Sequence, residues 1–124
     1  MAKSVHDDVL DGALNIIKNN CTRQVACSAQ PTTFTEANAT FALADVTMAS
    51  GDFTIANGDT SGRKITIAAK AGVTVDVSGT VTHVALLDVT GTKVQLVTTT
   101  ASQAVVNPGT VDIGSWKDEI ADPV

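Results

Sequence analysis

In VTHVALLDVTGTKVQLVTT (residues 81–99), His83 and Asp88 have the types for acid–base work. An imidazole exchanges protons near neutral pH and a carboxylate can orient it. Their spacing argues against a dyad, because an odd separation along a strand sends two side chains to opposite faces. A tight turn at Thr90-Gly91 sets Asp88 across from Lys93, which predicts a structural ion pair, and His83 across from Thr98. The other histidine, His6, falls at the start of a predicted helix, so no base, orienter and nucleophile converge. His83 reads as a strand-end histidine bonded to backbone or threonine. No catalytic residue is assigned, and the chain is not expected to be an enzyme.

The remaining chemistry-bearing residues are few. Cys21 and Cys27 are the two cysteines. On an extended segment their sulfurs lie too far apart to bond, so both are expected reduced and partly buried. Two such thiols and two distant histidines do not make a metal set. ANGDTSG (residues 56–62) places Asn57 and Asp59 in a Gly-rich loop but lacks the further spaced carboxylates of a calcium loop, and reads as a turn. No phosphate loop, dinucleotide fingerprint, nucleophile elbow or Cys-x-x-Cys pair is present. No metal and no cofactor is expected.

These residues sit in a chain of one-domain length, large enough to build a core without a staple. The net charge of −5, with eight Lys and Arg scattered along the sequence, argues against nucleic acid, whose binding requires clustered cations. The N-terminal MAKSVHDDVLDGALNIIKNN has early charges and no long apolar block, so neither a secretory signal nor a membrane span is expected; a soluble protein made in a cytoplasm is. Tyrosine is absent and aromatics are 3%, while Thr, Val and Ala abound. That bias favours strands over helices.

One amphipathic helix is predicted over Val5 to Asn19. Ser4 is its cap with Asp7 in the capping-box position, and Asp7, Asp8 and Asp11 suit its positive end. Val5, Val9, Ala13, Ile16 and Ile17 form its stripe, widened by Leu10 and Leu14. The chain then divides into residues 1–20, a helix or arm, and residues 21–124, a single β folding unit. From Arg23 onward the apolar period is that of strands. Segments 23–29, 52–56, 63–69, 73–77, 80–89, 93–99, a short one near 103–106 and one holding Val111 and Ile113, with FALADVTMAS (41–50) between the first two, are separated by Gly, Asn and Pro turns. Residues 31–40 read as a loop with one helical turn, Trp116 as a plug over the sandwich mouth, and the tail KDEIADPV as extending along an edge.

Seven or eight short strands predict a mainly β fold, an antiparallel sandwich or jelly-roll-like domain with one N-terminal helix. The 80–99 hairpin is apolar on both faces: Ala85, Leu87, Val94 and Leu96 on one, Val84, Leu86 and Val97 on the other. The second face needs a cover, either the N-terminal helix or another protein chain. Val9, Ala13, Ile16, Ile17, Val84, Leu86 and Val97 are therefore the candidate protein-contact residues.

KSVHDDVLDGALNIIKNN with TRQVACSAQPTTFTEANA, and DFTIANGDTSGRKITIAAKAGVTVDVSGTVTHVALLDV running into VNPGTVDIGSWKDEIADP, resemble small structural proteins of tailed bacteriophages and prophages. The resemblance is one of overall pattern and brings no active-site residues. It implies a virion protein, a capsid decoration or neck-associated component working through protein–protein contacts. Its partners would be major capsid, neck or tail proteins and further copies of itself, without nucleic acid or membrane, and it would be made in the bacterial host cytoplasm. The alternative it implies is a tail-tip or fibre-associated sandwich that recognises the host surface through its loops.

Overall fold

A computed structural model describes residues 3–123. Among these residues helix α1 spans Asp7–Asn20 and is followed by nine strands: β1 (Arg23–Cys27), β2 (Ala42–Thr47), β3 (Phe53–Asn57), β4 (Arg63–Ile67), β5 (Lys70–Thr74), β6 (Gly79–Asp88), β7 (Lys93–Val105), β8 (Thr110–Ile113) and β9 (Trp116–Ile120). All the pairings are antiparallel, in sheets ordered β2-β1-β6-β7, β3-β4-β9 and β5-β8. An Ala44–Val75 bridge joins the first sheet to the third at the β2 edge. The fold is mainly β and sandwich-like with one N-terminal helix, as the strand spacing predicts. Among the described residues no helix is long and apolar enough to cross a membrane.

The four-stranded sheet is apolar on both faces because the chain covers both. On one face Ala26, Ala44 and Val84 meet Val73, Val75, Val111 and Ile113 of β5 and β8. Farther along the same face, Leu86 meets Phe53, Ile65 and Ile67 of β3 and β4 together with Leu14 of α1. The opposite face buries Val25, Cys27, Ala85 and Leu87 beneath Phe34, Ala37 and Phe41 of the β1–β2 connection, which includes a π-helical turn at Glu36–Thr40. Glu36 pins that connection by accepting from the Thr32 hydroxyl (2.7 Å) and backbone N–H (2.9 Å). These bonds hold the exposed Glu36 carboxyl below its usual range.

Helix α1 starts later than predicted and is capped by His6, whose Nδ1 accepts from the Asp8 N–H at 3.1 Å, in place of Ser4. It also sits in a different rotation. Leu14 is buried, with Leu10 and Ile17 beside it at helical spacing, while Val9, Ala13 and Ile16 face outward. Two polar contacts fix this rotation: Asp11 pairs with Arg63 of β4 at 2.7 Å, and Lys18 Nζ donates to the Phe53 carbonyl at 2.7 Å. Asp11 also raises the Arg63 pKa, chiefly through this hydrogen bond.

The β3–β4 turn uses Gly62 at φ +68, a left-handed conformation that a side chain resists. Asp59 in this turn takes both Lys64, at 2.6 Å, and Lys117 of β9. The turn thus joins β4 to the tail strand, which pairs along the sheet edge as the sequence suggests.

Candidate protein-contact site

In the 81–99 hairpin, His83 and Asp88 are each held by a local hydrogen bond. Asp88 lies opposite Lys93 in the ladder, but the expected ion pair is not made. The Asp88 carboxylate turns back into the β6–β7 turn and accepts from the Gly91 N–H at 2.8 Å, a local bond that stays available whichever way the flexible lysine points. His83 is bonded through Nδ1 to the Thr82 hydroxyl at 2.8 Å and its backbone lies opposite Thr99. Cys21 and Cys27 are free and buried, and burial pushes each thiol up to about 11. A thiol so protonated is a poor nucleophile at neutral pH. Among the described residues no cluster of three or more metal-ligating side chains occurs.

The candidate contact residues separate into groups. Val84 and Leu86 are 5% and 0% exposed, closed off by β5, β8, β3, β4 and α1, so the chain itself covers the face that the sequence left open. Val97 does not share that face. A bulge shifts the register between Leu86 and Leu87, pairing Leu86 with Leu96 and Ala85 with Val97. One extra residue in a strand exchanges the faces of all that follow. Val97 therefore packs with Val25, Ala85 and Leu87, and Leu96 takes the inner position. Ile17 turns toward the core beside Leu14.

Val9 and Ile16 remain 65% and 58% exposed. With exposed Ala13 between them, they make an outward apolar stripe along α1. Its outward direction is set by Leu14, Asp11 and Lys18, which anchor the helix on the other side.

A second feature opens beside β7. Thr98, Thr99, Gln103, Ser115 and Trp116 line part of a cleft of about 170 Å³, floored by core residues that include Val84. Trp116 packs against both apolar clusters on that face, consistent with a plug between the layers. Its Nε1 donates to Oε1 of the fully buried Gln24 at 2.8 Å, giving two awkward polar groups one shared solution. The strand pattern of the sequence does not single out Gln24; its one signal is a polar residue on β1, which lies inside the four-stranded sheet. Among the described residues the outer edge of β7 has no strand partner, since β7 pairs there only with β6.

The described residues thus define an antiparallel β-sandwich-like domain that carries an anchored helix with an exposed apolar stripe and an open strand edge. In comparisons with known proteins, no family model, no curated protein and no solved structure matches the chain.

Proposed function

We propose that this chain is a structural component of a tailed-phage virion, a capsid decoration or neck-associated protein that works through protein–protein contact. The observation that carries the contact reading is the Val9, Ala13 and Ile16 stripe, exposed on a helix whose inner side is already tied to the sandwich. A helix with apolar residues on both sides has one side left to bury, and apolar burial contributes roughly 25 cal/mol per Å² before association costs are subtracted. The phage setting rests on the sequence resemblance. Repeated symmetric contacts suit a small domain of this kind, because each added copy gains the same interface.

The test has two parts. Mass spectrometry of purified particles of the encoding phage should find the chain as a stoichiometric component, and its absence removes the virion role. Val9→Asp combined with Ile16→Asp should leave the isolated domain folded while preventing its incorporation. Normal incorporation of the double variant removes the helix stripe as the docking surface.

A further inference from the structure

We propose that the outer edge of β7 pairs antiparallel with β7 of a second copy about a twofold axis near Thr98, making one continuous sheet across a homodimer. This deepens the protein-contact reading by naming the surface that joins copies, and it rests on that reading only in taking contact as the chain's work.

Four observations support it. First, among the described residues β7 is the longest strand, Lys93–Val105, and has β6 on one side and no strand on the other. An unpaired edge offers a row of backbone donors and acceptors to any strand that can reach it. Second, two of the usual guards are missing: no charged residue occurs from Val94 to Val111, and no proline in that run before Pro108. Third, β7 is interrupted at Gln95 and again at Thr100–Ser102, where its register with β6 shifts. Bulges blunt an edge, yet the segment between them, Leu96–Thr99, keeps a regular register. An antiparallel pairing centred near Thr98 sets the Gln95 bulge of one copy across from the longer bulge of the other. Fourth, each copy carries a net charge of −5, so two copies repel wherever carboxylates meet. The neutral run of β7 lets like-charged copies approach, and threonine opposite threonine is a favourable cross-strand pair. The added strand also closes the mouth of the cleft beside Thr98, Thr99 and Trp116.

The occupant is identified by self-complementarity, and like charges placed at the axis should reveal it. Thr98→Glu and Thr98→Lys each set a charge beside its own copy, and both should convert a wild-type dimer to monomer in sedimentation velocity over a concentration series. An equimolar mixture of the two should restore the dimer through opposite charges. Thr98 is half-buried, so the same pair of substitutions at the exposed Thr99 forms a second set, with circular dichroism confirming the fold of each variant. Amide exchange over Leu96–Thr99 should slow with concentration in the wild type.

A wild-type chain that stays monomeric throughout overturns the inference and gives the edge to a foreign strand. Folded single-sign variants that dimerise as well as wild type, or a mixture that does not recover, also overturn it. A dimer absent from virions overturns only the virion role, while a virion component that is monomeric with a free β7 edge overturns only this inference.

Discussion

The cations of β4 have partners within the domain, Arg63 on Asp11 of α1 and Lys64 on Asp59, which also takes Lys117 of β9. Beyond Lys93, by contrast, β7 carries no charge, and among the described residues its outer edge meets no strand. Both strands belong to the same small domain, but they stand in opposite relations to what surrounds them. On the β4 side, polar pairs fix the rotation of a helix and the position of a tail strand over an apolar layer. That interface is closed, and its charges act as positioning contacts. On the β7 side no charge specifies a neighbour within the domain, so the strand can accept one from outside. Satisfied charge marks surfaces the domain uses for itself, and a neutral open edge marks one left for a second chain.

The largest expected effect lies on the closed side. Leu14→Ala removes a side chain that is 1% exposed between α1 and the β3–β4 layer, and a buried Leu truncation costs about 2–5 kcal/mol. Ile16→Ala, on the outer side of the same helix, should change stability by less than about 0.5 kcal/mol, as exposed substitutions do. Urea unfolding of both variants checks the contrast. Equal losses would mean that the helix has no closed and open side.

An intermediate effect is expected where the closed side meets the cleft. Trp116→Phe keeps an aromatic ring over the core but removes the N–H that satisfies Gln24 Oε1 at 2.8 Å. A buried acceptor left without its donor costs about 1–3 kcal/mol. Adding Gln24→Leu to that variant should recover part of the loss, since an apolar pair leaves no unmet acceptor. A double variant less stable than Trp116→Phe alone would show that the glutamine contributes by shape and not through this bond.

The contrast between the two sides was only partly legible in the sequence. Strand periodicity and turn residues were enough for an antiparallel fold with a helix at its start, and even for the KDEI segment along an edge. The helix rotation was not legible, because Val9, Ala13 and Ile16 stand beside Leu10, Leu14 and Ile17 and both stripes are apolar. What decides between them is the reach of Asp11 to Arg63 and of Lys18 to the Phe53 carbonyl, contacts between segments far apart in the chain. The face of Val97 was hidden for a related reason. A bulge at Gln95 leaves no trace in a run that is apolar on both sides of the sheet. The charge-free stretch of β7 was visible throughout, but its meaning depended on knowing that the strand lies at an edge.

The smallest effect concerns pH and separates the two sides by titration. Asp52 Oδ2 accepts from the Ala49 N–H at 2.8 Å and Oδ1 pairs with Lys70 at 2.9 Å. These contacts, the backbone bond first, lower its carboxyl below the usual range. A carboxyl depressed on folding binds a proton more readily in the unfolded chain. Its stabilisation is complete above the ordinary carboxylate value of about 3.9 and is lost as pH falls through the lower folded value. Asp45 acts in the opposite sense. Desolvation, countered by Arg23 and reinforced by Asp76, raises its pKa, so its contribution fades as pH rises through that value. Asp52→Asn should therefore flatten part of the acid limb in a plot of thermal midpoint against pH. Unaltered acid sensitivity would remove Asp52 as a source of that limb. The β7 edge has no titratable side chain from Val94 to Val111, so self-association should change little over a pH range in which the domain stays folded. Dimer loss that tracks carboxyl titration while the fold persists would place charged groups at the joint between copies and move that joint away from Thr98.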